Sequence, residues 1–139
     1  MQAKVELSFE EIIRRLKSLA LPEIDRVIGI ASGGTMPAAL VAHQLSRPFS
    51  LMQINYRDEV NQPRHERPKL LGDVPAFAAK QRILLVDDVS VSGATLEVAK
   101  ATLSDHEVIT LVLKGKADLV AFPEISACVK WPWKVDSRQ

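Results

Sequence analysis

The chain has 139 residues, 47% of them apolar and 25% charged, and a net charge of +1. That mix describes one globular domain over residues 1–139 and excludes a disordered chain. A charge so near balance argues against nucleic acid or an anionic membrane as the main partner. Cys128 is the single cysteine, so no intrachain disulfide can form and a reducing compartment fits. No apolar run approaches the ~20 residues of a membrane helix. The first stretch, MQAKVELSFEEIIRRLKS, is charged throughout, unlike a signal peptide. The expected setting is the cytoplasm.

In chain order, residues 8–20 predict an amphipathic helix. Phe9, Ile12, Ile13, Leu16 and Leu19 recur at helical spacing, against Glu10, Glu11, Arg14, Arg15 and Lys17. Ser8 with Glu11 forms a capping box, and Leu7 with Ile12 a staple. Residues 26–31, RVIGIA, predict a buried strand; SGGT follows, then a helix over MPAALVAHQLS with Pro37 in its first turn. Residues 49–55 predict a second strand. Residues 56–69, YRDEVNQPRHERPK, are polar, hold two prolines, and predict a long loop. Residues 82–87 predict the third strand, 95–104 a helix, and 108–113 the fourth strand. The tail, AFPEISACVKWPWKV, predicts irregular chain with one short strand. Continuous apolar strands such as ILLV and VITLVL are buried on both faces. The fold class is therefore α/β, a mostly parallel sheet flanked by helices.

The chemistry gathers in RILLVDDVSVSGATLEVAK, residues 82–100. Open α/β sheets bind ligands beyond the carboxyl ends of their strands. Asp87 and Asp88 sit at such an end, and Ser90, Val91, Ser92, Gly93, Ala94 and Thr95 lead into a helix N-terminus. Unpaired N–H groups and the helix dipole favour a phosphate there. Gly93 lets the backbone approach, and the hydroxyls add donors. Carboxylates beside a phosphate pocket suit a phosphorylated sugar, because they can accept from ribose hydroxyls or hold Mg²⁺. Neither GxxxxGK[ST] nor GxGxxG is present.

LLVDDVSVSGATL resembles the signature loop of the type I phosphoribosyltransferases, which bind 5-phosphoribosyl-1-pyrophosphate (PRPP). Asp87, Asp88, Ser92, Gly93 and Thr95 match its pattern. VIGIASGGTMPAALVAHQL resembles the family's pyrophosphate loop, and the stretch after Tyr56 lies where the family has a flexible catalytic loop. Lys114 and the closing WPWK are similar to the small bacterial xanthine–guanine and hypoxanthine enzymes. The likeness covers about residues 24–135, a core over about 24–115 and a C-terminal hood over about 116–135.

The resemblance implies transfer of the phosphoribosyl group from PRPP to a nitrogenous base, a purine, with release of pyrophosphate. It implies Mg²⁺ as cofactor and a homo-oligomer, dimer or tetramer. Asp87 and Asp88 would be the catalytic acids and the Mg²⁺ ligands. Residues 90–95 would hold the 5′-phosphate, and Ser32, Gly33 and Gly34 the pyrophosphate. A cis peptide is expected at or next to Ser32–Gly33. Arg57, Arg64, Arg67 and Lys69 either form a lid or lie on a solvated face. Lys114 either reads the base or is a surface lysine. Trp131 and Trp133 either stack on the base or close the core. His43, His65 and His106 are expected to be surface or structural, and Cys128 a small packing residue.

Three departures stand out. Ser32 replaces the arginine common in purine enzymes, which leaves pyrophosphate charge to Mg²⁺ and the lid. Val91 replaces the third acid of the 6-oxopurine enzymes. Cys128 falls where the stacking aromatic would be. They motivate a second reading, a PRPP- or nucleotide-binding regulator that has lost catalysis.

Overall fold

A computed structural model describes residues 4–55, 69–72, 77 and 79–134. The elements in order are β1 (Val5–Glu6), α1 (Phe9–Ser18), β2 (Arg26–Ala31), α2 (Thr35–Leu45), β3 (Phe49–Asn55) and β4 (Lys69–Leu71). They continue with β5 (Arg82–Ser90), α3 (Ala94–Thr102), β6 (Glu107–Gly115), β7 (Leu119–Val120) and β8 (Val129–Lys130). The main sheet runs β4-β3-β2-β5-β6-β7. β3, β2, β5, β6 and β7 are parallel, and β4 is an antiparallel edge on β3.

The period of two divides the apolar strand residues between two cores. Val27, Leu84, Val86, Leu111 and Leu113 face Ile12 and Leu16 of α1 and Ala38 and Val41 of α2. Ile28, Ile30, Met52, Ile83, Leu85 and Val112 face Leu96 and Ala99 of α3. β2, β5 and β6 are thus covered on both sides, as their unbroken apolar runs predict, while Phe49 and Leu51 leave one face of β3 exposed.

Helix α1 starts where its cap predicts: the Ser8 hydroxyl accepts from the Glu11 N–H at 3.1 Å. It ends at Ser18, two residues short of the predicted boundary. Leu7 and Ile12 share one core, as a staple requires. Arg15 ties α1 to the C-terminal segment, donating to Glu124 at 2.9 and 2.8 Å and to the Ala121 carbonyl at 2.6 Å.

Several expectations need correction. Lys69, assigned to the loop, begins β4 and pairs with Asn55, because three residues suffice to satisfy an open sheet edge. The third strand does not stop at Asp87 but runs to Ser90, held by pairing of Val89 with Lys114 and Ser90 with Gly115. β1 and β8 form a separate two-stranded parallel sheet, Val5 opposite Val129. Cys128 is exposed rather than packed; its carbonyl accepts from the Val5 N–H at 2.8 Å, so its backbone serves that sheet. Arg57, Arg64, Arg67 and His65 lie outside the described residues.

Candidate functional site

The strand order reverses between β2 and β5: the chain moves outward from β2 to β3 in one direction and from β5 to β6 in the other. A crevice opens at such a switch point, at the carboxyl ends of the two strands. Residues 31–34 leave β2 there, and Asp87 to Ser90 end β5 there. The site is therefore placed by topology before any side chain is considered.

The two loops touch. A Cβ on Gly33 would stand 2.6 Å from both carboxylate oxygens of Asp88, so only glycine lets the acid lie against that backbone. A Cβ on Gly34 would meet the Val86 carbonyl at 2.5 Å and the Ile30 carbonyl at 2.7 Å. The Gly34 N–H donates to the Ile30 carbonyl at 2.7 Å, and the Ala31–Ser32 peptide is cis, next to the expected position. Ser32 is exposed.

Asp87 and Asp88 are each only 8% exposed. An Asp87 Oδ1 accepts from the Asp88 N–H at 2.8 Å, and Asp88 Oδ1 from the Val89 N–H at 2.7 Å. Asp88 Oδ2 lies 3.4 Å from the Lys134 ammonium. Burial, then the charge of Asp88, push the Asp87 carboxyl up to about 8. Two oxygen-rich side chains fit Mg²⁺ that arrives with phosphate ligands and water, since Mg²⁺ is seldom caged by protein alone. Among the described residues no cluster of three or more His, Cys, Asp or Glu could hold a metal by itself.

Val89 to Thr95 line a pocket of about 180 Å³. Gly93 has φ +85°, and its Cβ position is empty space, so the loop needs the glycine for its left-handed turn. The Ser92 hydroxyl accepts from the Ala94 N–H at 3.2 Å at the start of α3. Val91 is 80% exposed at the loop tip. Two larger cavities, about 460 and 440 Å³, lie against α1 and the C-terminal segment instead. Neither is lined by Asp87, Asp88 or the loop that follows them.

Lys114 is half-buried near the end of β6, beside Val89 and on the same edge as the acids. Trp131 does not reach that edge as an open ring: it is 3% exposed, sits in the α1–α2 core, and stacks on Trp133 at 5.4 Å. Of its two open roles the structure gives it packing, and a base cannot stack on a ring so covered. His106 is structural, accepting from the Gln81 N–H at 3.0 Å, and His43 is exposed. The residue missed by sequence reasoning is Lys134. The WPWK motif was visible, but nothing local in it points to Asp88.

The phosphoribosyl transferase domain model matches residues 5–134, and the chain belongs to that family. It is 25% identical to a xanthine-guanine phosphoribosyltransferase of Idiomarina loihiensis over 138 residues, covering 91% of this chain and 84% of that one. It is 26% identical to the transcriptional regulator GfcR 1 of Methanosarcina barkeri over 112 residues, but covers only 54% of that protein. A purine phosphoribosyltransferase from Pyrococcus horikoshii superposes with a TM-score of 0.77 at 24% identity, covering 96% of this chain and 95% of that one. That last likeness speaks for the fold. Among the described residues no helix is long and apolar enough to cross a membrane.

Proposed function

We propose that this protein transfers the 5-phosphoribosyl group of PRPP to a nitrogen of a purine, releasing pyrophosphate. One juxtaposition carries the reading: two buried acids lie against a glycine pair at the sheet's switch point, next to a loop that opens a helix. The 5′-phosphate would sit on residues 90–95 and the pyrophosphate on residues 32–34. Asp87 and Asp88 would hold the ribose hydroxyls between them. The reacting sugar carbon becomes cationic as pyrophosphate leaves, so a fixed negative charge nearby lowers the barrier without reorganising. Holding both ends of PRPP also aligns the bond to be broken. Mg²⁺ would be held by Asp87 and Asp88 with PRPP oxygens, and would neutralise pyrophosphate charge. Lys114 would donate to a purine 6-oxo group. Arg57, Arg64 and Arg67 would close over the site and keep water from hydrolysing PRPP; Lys69, in β4, would not take part. The protein would act as a single domain, as a cytoplasmic dimer or tetramer.

A second reading is favoured by Ser32 and Val91, which lack the charges of purine enzymes, and by the likeness to a transcriptional regulator. In it the pocket binds PRPP or a nucleotide without turnover.

The acids separate binding from chemistry. Replacing both by Asn keeps size and removes charge. Turnover should fall about a hundredfold or more while PRPP affinity changes less than about tenfold, because the charge matters most in the transition state. Equal, small losses in both quantities would remove Asp87 and Asp88 from the catalytic role.

A further inference from the structure

The pyrophosphate loop reads ASGGTMPA over residues 31–38 and carries no cationic side chain. A leaving group with several negative charges would find only backbone N–H groups and the hydroxyls of Ser32 and Thr35 on that side. Yet a cation does stand beside the loop, and it comes from the other end of the chain. The Asp88 carboxylate lies 2.6 Å from the Cβ position of Gly33, and the Lys134 ammonium lies 3.4 Å from Asp88 Oδ2. These two contacts in series bring the C-terminal lysine to the glycine pair.

We infer that Lys134 is the pyrophosphate-binding cation of this site, replacing the charge that Ser32 lacks; this rests on the PRPP reading above. An ammonium has three donors and no acceptor. Asp88 holds the group as an ion pair at 3.4 Å. The Lys134 side chain is 58% exposed, so its remaining donors face solvent and can reach a phosphate oxygen without leaving Asp88. The ion pair thus acts as a holder. It aims a flexible side chain at the loop and reduces the rotamer entropy that binding would otherwise remove. The segment around it is fixed in turn: Trp131 is buried in the core, Trp133 stacks on it, and β8 pairs with β1. The Lys134 N–H donates to the Trp131 carbonyl at 3.2 Å, closing the turn that presents the side chain.

The test is calorimetric titration of the full chain with two separate probes, inorganic pyrophosphate and ribose 5-phosphate. Lys134→Gln should weaken pyrophosphate about tenfold, the worth of one charge-assisted hydrogen bond, and leave ribose 5-phosphate unchanged. Lys134→Arg should keep most of the pyrophosphate affinity. If Lys134→Gln weakens both probes equally, the lysine acts only through the fold and the inference is wrong. If the wild type binds ribose 5-phosphate but Lys134→Gln leaves pyrophosphate unchanged, the inference fails while the phosphate site stands. If the wild type binds neither probe, the PRPP reading fails with it.

Discussion

Gly33→Ala isolates the contact on which the site depends. The added methyl would stand 2.6 Å from both Asp88 carboxylate oxygens, well inside van der Waals contact. Those atoms end a side chain, so the fold can accommodate the methyl by turning the carboxylate away. It then loses its geometry to the Val89 N–H and to Lys134. Overpacking of this kind costs about 1–3 kcal/mol, and at about 4 °C per kcal/mol for a domain of this size Tm should fall roughly 4–12 °C. Displacing Asp88 takes away its whole hydrogen bond to the ribose, which an Asn in the same place would keep, so PRPP affinity should fall about tenfold or more. Gly34→Ala makes the control. Its methyl would meet the Val86 and Ile30 carbonyls, which are backbone and cannot turn aside. It should therefore lose more stability than Gly33→Ala. Thermal melts and PRPP titration of both variants check this. A Gly33→Ala protein that binds PRPP at wild-type strength would refute the placement of Asp88 in the site.

Gly93→Val should abolish PRPP binding and lower Tm by a few degrees, because a valine held at positive φ costs about 1–3 kcal/mol. Its φ of +85° is strained for valine, yet its Cβ position is open and the loop is exposed; unchanged binding would put the phosphate elsewhere. Lys114→Gln should narrow a preference for 6-oxopurines over adenine, since an uncharged donor holds the oxygen less well; unchanged discrimination would remove Lys114 from the base site. Burial, then the charge of Asp88, push the Asp87 carboxyl up to about 8, above its unfolded value, so the folded state binds the extra proton between about pH 4 and 8. Its contribution is complete below pH 4 and is lost as pH rises through 8. Wild-type Tm should therefore decline relative to Asp87→Asn between about pH 4 and 8 and level off above that, and parallel curves would show that burial does not raise the Asp87 carboxyl.

The loop after β5 was legible because its signals are local. VDDVSVSGAT places acids, a left-handed glycine and a helix start within ten residues, and the structure has them in that order. Continuous apolar runs likewise gave the parallel strands. What escaped was long-range or very short. β1 and β8 are two residues each, and their pairing joins opposite ends of the chain, so no periodicity announces it. β4 has three residues and exists because β3 leaves an edge to fill. The Lys134–Asp88 contact joins residues 46 positions apart in sequence, and no local pattern announces it. Trp131 illustrates the same limit: a tryptophan near a C-terminus can meet a ligand or a core, and only packing against α1 and α2 decides it.

The most direct test of the account is pyrophosphate release from PRPP and Mg²⁺ with each of a panel of purines and pyrimidines. The account predicts base-dependent release, strongest with guanine, hypoxanthine or xanthine, and lost in the Asp87→Asn/Asp88→Asn double variant. PRPP binding with no release on any base would contradict it and leave the protein a PRPP-binding regulator.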